Sequence, residues 1–277
     1  MWCAQCSSEQ SNFSRGCPNH CAFCSIHTQW GFKWRARSPE NVVDELKEMK
    51  EKYKCSEVSF DDDNLTLSRK RMVALCEMMI NEKLDLSWDT PNGVSVITLN
   101  RELLELMKKA GCRSLNLAIE SADPHVLLDI IHKPLNLEKA EQVIRDCKKL
   151  GIKTEGYFVL GMPGETLESM QCSLDFARRS ELDEVGVFAA VPFPKTELHE
   201  LASQKGYMKN IDFCRVEADN ALQESMLLDT PWLKSEDVLA FRQQFYDAFV
   251  RSSIRKRISL VRHEVGRRVR RSHAPEM

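Results

Sequence analysis

No apolar run in the 277 residues approaches the ~20 needed to cross a bilayer, and Met1–Ser14 lacks a basic-then-apolar leader pattern. The expected location is therefore the cytoplasm. Neither sign of charge dominates, with 39 Lys plus Arg against 41 Asp plus Glu and a formal charge of −2, so the chain is no polyelectrolyte. Fixed-period repeats and low-complexity segments are missing, which excludes solenoids and fibres. The seven His show no i, i+4 or triad-like grouping. What remains, at 43% hydrophobic residues, is a globular chain long enough for one large α/β domain or two small ones.

From Ser38 onward, helical periodicity alternates with short apolar runs, the pattern of βα units around a parallel sheet. Ser38 is a natural N-cap, Pro39 suits the first turn, and Val42, Val43, Leu46, Met49 and Tyr53 form one stripe. Strands are expected near Asn12–Arg15, Glu57–Phe60, Leu86–Trp88, Ser114–Ile119, Thr154–Leu160 and Val185–Val191. Helices are expected over Arg69–Glu82, Arg101–Ala110, Leu137–Leu150 and Leu167–Arg179. Six strands within about 190 residues are too few for a closed eight-stranded barrel, which needs ~250 residues. The expected class is α/β, an open partial TIM-type (β/α)6 barrel with a C-terminal helical extension. The expected divisions are an N-terminal segment 1–11, a barrel 12–205 and a helical extension 206–277 with a basic tail. After Gly206 only helices are expected, with Val238, Phe241, Phe245 and Phe249 continuing through Ile254, Ile258, Val261, Val265 and Val269 as one apolar stripe.

The abundant residue is cysteine, with 11 copies, an odd number that suits thiols or metal ligands better than a disulfide framework. Cys17, Cys21 and Cys24 stand in Ser14-Arg15-Gly16-Cys17-Pro18-Asn19-His20-Cys21-Ala22-Phe23-Cys24, a C-x3-C-x2-C spacing. Three thiolates on so short a loop can hold an iron-sulfur cube and leave its fourth iron open, since a saturated cluster has four Cys ligands. The same three with His20, His27, Cys3 or Cys6 can instead hold a structural zinc. Cys55, Cys76, Cys112, Cys147, Cys172 and Cys214 have no metal spacing and read as small buried hydrophobes.

This loop, with aromatic Phe23 before the third Cys, resembles the signature of the radical S-adenosylmethionine (radical SAM) superfamily. The stretch Gly31-Phe32-Lys33-Trp34-Arg35-Ala36-Arg37-Ser38-Pro39-Glu40-Asn41-Val42-Val43 is similar to radical SAM proteins that carry a cobalamin-binding domain. Asp62-Asp63-Asn64-Leu65-Thr66, Pro91-Asn92-Gly93, Ile119-Glu120-Ser121 and Leu160-Gly161-Met162-Pro163-Gly164-Glu165-Thr166 extend the likeness, each just past the carboxyl end of an expected strand. That is where βα-barrel enzymes assemble their sites. Two departures stand out: Ala122 where the group often has Gly, and Lys195 in Pro192-Phe193-Pro194-Lys195-Thr196 where Gly is usual.

The resemblance implies a 4Fe-4S cluster on Cys17, Cys21 and Cys24. Once reduced, it cleaves S-adenosyl-L-methionine to methionine and a 5′-deoxyadenosyl radical that abstracts hydrogen from a substrate. Phe23, Asp62, Asp63, Glu120, Ser121, Gly161 and Gly164 are then candidates for contact with S-adenosyl-L-methionine. One of Asp62 and Asp63 would take the methionyl amino group, the other reading being charge at the amino end of the next helix. Glu120 and Ser121 would meet ribose or amino group, unless Glu120 is a rim carboxylate paired to a Lys. The two Gly would admit backbone to the adenine, although a plain strand-to-helix turn also needs Gly. Arg35 and Arg37 either clamp a carboxylate or are solvated before the helix cap.

Asp123 and His125 begin like a cobalamin-binding motif, but position 128 is Leu, and only 16 residues precede Cys17. Cobalamin is accordingly not expected on this chain unless a separate chain supplies it. The partners expected are a small-molecule substrate and an electron donor such as flavodoxin or ferredoxin. From Arg251 to Met277 the local charge is about +7, leaving about −9 on residues 1–250. That tail is read as packed and solvated in preference to binding nucleic acid. The expected function is a radical SAM enzyme acting on an unnamed substrate. The alternatives are a cobalamin-dependent radical methyltransferase and a non-catalytic zinc or iron-sulfur binding protein.

Overall fold

Six helices begin on a side chain that accepts the backbone N–H three residues on: Ser38, Ser68, Asn100, Asn136, Thr166 and Thr196. Each such cap is worth ~1 kcal/mol and fixes where its helix starts. The structure, a computed structural model, describes residues 8–209 and 228–271, and for 8–10, 253 and 255–271 the backbone alone.

In chain order the elements are β1 (Ser8–Ser11), β2 (Ser14–Arg15), α1 (Ile26–Trp30), β3 (Arg35–Ala36), α2 (Pro39–Tyr53), β4 (Glu57–Phe60), α3 (Arg69–Asn81) and β5 (Ser87–Asp89). A 3-10 turn (Val96–Thr98), α4 (Arg101–Lys109), β6 (Ser114–Glu120) and a π turn (Val126–Ile130) follow. The remainder are α5 (Leu137–Leu150), β7 (Lys153–Leu160), α6 (Leu167–Arg179), β8 (Glu184–Ala189), α7 (Glu197–Lys205) and α8 (Ser235–Arg271). Helices α2 to α6 and strands β4 to β8 fall within two residues of their expected positions.

The parallel strands run in the order β1-β4-β5 and β6-β7-β8, and parallel bridges at Trp88–Cys112 and Val94–Leu117 join the two triplets. This is an open, six-stranded partial barrel with helices outside, and β1 and β8 do not pair with each other. The first barrel strand lies upstream of its expected place. Asn12–Arg15 was the expectation, but Ser8–Ser11 pairs with β4, while Ser14–Arg15 forms a short antiparallel ladder with β3. The polar run SEQS carries little apolar alternation, so its strand character comes from the parallel pairing.

The main core fills the space between sheet and helices. Trp88 lies at its centre, fully buried, stacked 4.9 Å from Phe60 and donating Nε1–H to the Ala110 carbonyl at 2.9 Å. Cys55, Cys76, Cys112 and Cys147 are buried as expected. Cys172 is exposed, against expectation, because α6 turns Met170, Leu174 and Phe176 inward and leaves position 172 on the outer face. Cys3, Cys6 and Cys214 lie outside the described residues.

The stripe of α8 packs as expected through Val238, Phe241, Phe245 and Phe249, all buried. Ile254, the next residue of the expected stripe, is exposed, and the continuation through Ile258, Val261, Val265 and Val269 lies outside the described side chains. The segment after Gly206 is not wholly helical, since Met208 bridges antiparallel to Leu228. Among the described residues no helix is long and apolar enough to cross a membrane.

Candidate active site

The cysteine loop leaves β2 through Gly16, at φ 83°, where a Cβ would lie 2.6 Å from the Lys33 carbonyl oxygen. Only Gly fits there. The Gly16 N–H donates to Asp63 Oδ2 at 2.7 Å, tying the loop to the end of β4. Further along, Ala22 is gripped by its backbone: its N–H donates to the Ile131 carbonyl at 3.1 Å, and its carbonyl accepts the Leu198 N–H at 2.9 Å. Ala22 is buried in a second, smaller core with Val126, Ile131, Met162 and Leu198, against which Cys21 and Phe23 pack. Backbone and apolar contacts thus hold the loop and leave the thiols to face inward.

Cys17, Cys21 and Cys24 line a cavity of about 300 Å³ at the carboxyl ends of the strands. Phe23, Asp63, Asn64, Glu120 and Lys133 form other parts of its wall, and Asn92 to Ser95 with Ala118 the rest of the barrel side. Asn64 Nδ2 donates to Cys17 Sγ at 3.4 Å, while Asn64 Oδ1 is buried and meets no partner among the described residues. Trp34 fixes that residue by donating Nε1–H to its carbonyl at 3.1 Å.

Burial pushes the Cys21 thiol up to about 12, with Lys133 opposing, and burial likewise raises Cys24. Without metal both stay protonated near neutral pH, so binding iron must release their protons. Among the described residues no set of three or more His, Cys, Asp or Glu is tight enough to hold a single ion. Three thiols on the wall of one cavity suit an iron-sulfur cube, with one thiolate to each of three irons. The donor set fits an iron-sulfur cube with an open corner, and the adjacent cavity provides room at that corner.

Of the other expected residues, Phe23, Asp63 and Glu120 share the cavity with the cysteines. Glu120 has φ 69°, follows a register shift in β6, and is ion-paired at 2.9 Å with Lys133, both side chains being buried. A non-Gly residue held at positive φ in a cavity wall is a common signature of a functional position. Asp62 does not line the cavity. It is buried beneath the loop, accepting from the Phe13 N–H at 3.2 Å and from the Ser14 hydroxyl, and burial raises its carboxyl despite those bonds.

Ser121 is also turned away, its hydroxyl accepting from the Asp123 N–H at 3.2 Å beside Ser173. Gly161 and Gly164 shape the β7–α6 turn outside the cavity, at φ 87° and 97°. Arg37 pairs with Glu45, and Arg35 is exposed, so neither reaches the cavity.

The expected alternative of Glu120 paired to a Lys is met by Lys133, though the pair is buried, while Asn64 and Glu165 stand in the quoted motifs without a role having been expected of them. Glu165 is fully buried and accepts from the Gly161 N–H at 2.6 Å and the Met162 N–H at 3.2 Å, with Oε1 unpartnered. Sequence reasoning missed that His20 and His27, remote in helical spacing, both stack on Phe32, at 4.2 and 4.9 Å. Phe32 follows both in the sequence, so only the fold brings the three rings together.

The Radical SAM superfamily model matches residues 11–177. Over 201 residues the chain is 36% identical to cytidylyl-2-hydroxyethylphosphonate methyltransferase of Streptomyces wedmorensis, covering 70% of this chain and 37% of that one. Over 196 residues it is 32% identical to anaerobic magnesium-protoporphyrin IX monomethyl ester cyclase of Rubrivivax gelatinosus, covering 70% and 35%. The chain therefore spans well under half the length of these relatives. Among solved structures, the radical S-adenosylmethionine methyltransferase TsrM of Kitasatospora setae, with tryptophan and a SAM analogue bound, shares the fold at a TM-score of 0.67 and 21% identity, over 75% of this chain and 41% of that one. With the family model covering more than half the sequence and its cysteines gathered on one cavity, this chain belongs to the radical SAM superfamily, whose enzymes use a 4Fe-4S cluster and S-adenosylmethionine.

Proposed function

We propose that the cavity binds a 4Fe-4S cluster through Cys17, Cys21 and Cys24 and S-adenosylmethionine beside it, and that the chain thereby abstracts hydrogen from a small-molecule substrate. The observation that carries this is the placement of the three thiols in one cavity with Asp63, Glu120 and Lys133. When bound and reduced, the cluster supplies the electron for reductive cleavage.

The chain's own residues bind and orient. Asp63 or Glu120 suits the methionyl ammonium, and Lys133 suits its carboxylate, each as a charge-assisted contact in a partly enclosed site. Phe23 closes the wall against water, and the Asn64 amide N–H holds charge on Cys17. The catalytic unit is assigned to residues 8–205, starting before residue 12 because β1 (Ser8–Ser11) is the first barrel strand.

A second reading, cobalamin-dependent methyl transfer, draws support from the names of the relatives: several are methyltransferases, and TsrM was solved with cobalamin and a [4Fe-4S] cluster bound. Anaerobic reconstitution tests both readings. The protein should take up about four irons, and Cys17→Ala, Cys21→Ala or Cys24→Ala should each abolish that uptake. Under dithionite it should release 5′-deoxyadenosine from S-adenosylmethionine. Added cobalamin that diverts the product to S-adenosylhomocysteine would favour methyl transfer, and stoichiometric zinc with no nucleoside product would overturn both.

A further inference from the structure

A groove of about 670 Å³, lined by Asn12, Arg15, Gln29, Trp30, Arg35 and Arg37, adjoins the start of the cysteine loop at Arg15. Its cations are held in place. The Arg15 guanidinium lies 5.0 Å from the Trp30 ring centroid, and Arg35 donates to the Trp30 carbonyl at 3.0 Å. Trp30 is 38% exposed, and Phe32 (44% exposed) and Lys33 continue the same surface.

Among the described residues Arg37 is paired with Glu45, whereas Arg15, Lys33 and Arg35 meet no carboxylate within ion-pair distance. Some surface cations elsewhere are neutralised locally, as in Arg69–Glu102, Arg101–Glu105 and Lys52–Glu48. On a chain whose first 250 residues carry about −9, Arg15, Lys33 and Arg35 form a local positive face beside two exposed aromatic rings.

The face is continuous with the cluster loop. Arg15 is two residues before Cys17, and exposed Phe32 stacks on His20, which stands between Cys17 and Cys21, and on His27, which lines the cavity. The groove and the cysteine loop are thus joined through Arg15 and through the Phe32 ring stacked on His20 and His27. Aromatic and Arg side chains ringed by positive charge form a surface for a small, weakly held, acidic partner.

We propose that this groove is the docking face for an acidic one-electron carrier protein, resting on the cluster assignment above. One electron leaves the carrier's reduced flavin or iron-sulfur centre, which is oxidised by one unit. It enters the bound cluster, which is reduced by one unit, and no bond or proton moves.

The test uses reconstituted holoenzyme with flavodoxin as the probe. Its dissociation constant is measured at low and high salt, and cluster reduction by flavodoxin hydroquinone is followed by stopped flow. Wild-type binding should weaken steeply with salt. The K33E/R35E variant should bind about tenfold more weakly and be reduced more slowly in proportion, while dithionite-driven 5′-deoxyadenosine release is unchanged. K33Q/R35Q, which removes charge without reversing it, should fall between the two. K153E, at the opposite end of the strands, should match wild type.

Equal affinity in all variants, or a K153E loss as large as that of K33E/R35E, would overturn the docking face. If wild-type protein releases no 5′-deoxyadenosine even with dithionite, the enzymatic reading fails, while the binding constants still report on the face.

Discussion

Lys195 holds a φ of 68° in the loop after β8. This is the position where the family resemblance leads one to expect Gly, and the left-handed φ is the conformation that Gly adopts most readily. An L side chain there costs ~1–2 kcal/mol, partly offset by the greater chain entropy that Gly loses on folding. Lys195→Gly should therefore stabilise the protein by about 0.5–1 kcal/mol, read from its denaturant midpoint.

The Glu120–Lys133 pair makes the opposite case. Lys133→Met leaves a buried carboxylate uncompensated and should cost ~3 kcal/mol or more in chemical unfolding, and Glu120→Gln combined with it should recover part of that loss. The three cysteines were legible because they stand within eight residues and all line one cavity. Lys133 was not, because a π turn of five residues carries it back to Glu120, and no 3.6-residue period marks such a return. Ser121 and Asp62 sit in the expected motifs, yet they serve neighbouring backbone. Motif membership alone does not separate a residue that faces the cavity from one that supports it.

Among the elements, the helices and the later strands were readable because cap, stripe and stop agree: Asn136 opens α5, Ala140, Val143, Ile144 and Cys147 bury one face, and Gly151 at φ 68° ends it. Local consistency of this kind is what makes a segment predictable. β1 was misplaced because two short polar segments compete for the first position, and only pairing to β4 decides it. α1 is a five-residue helix with no buried side chain, so it has no stripe to read.

The turn between β7 and α6 carries a pH dependence. Burial pushes Glu165 up to about 8, opposed by the two backbone N–H groups it accepts from. The unfolded chain ionises this carboxyl near its usual value, so the native state binds the extra proton between those limits, and stability falls as pH rises from about 4.5 to about 8. Above that the difference levels off. Glu165→Gln removes the proton uptake, and wild type should lose about 2–3 kcal/mol relative to that variant between pH 6 and 8.5 in guanidinium unfolding.

At the scale of the molecule, the open partial barrel was legible from length and strand count, since six βα units cannot close an eight-stranded cylinder. The cavity's composition was less so: β4, β5 and β6 supply its walls, while the turn after β7 stands behind them, supporting the loop through Met162. Sequence order treats those strand ends alike, and only the curvature of the sheet ranks them by distance from the cysteines.

The backbone grip on Ala22 has a consequence for the loop in the apoprotein. Its stability is drawn from the apolar packing and hydrogen bonds around that residue, whereas a zinc finger collapses when its metal is withheld. The loop should therefore keep its place without metal, and an unfolding midpoint nearly unchanged by a chelator would check this.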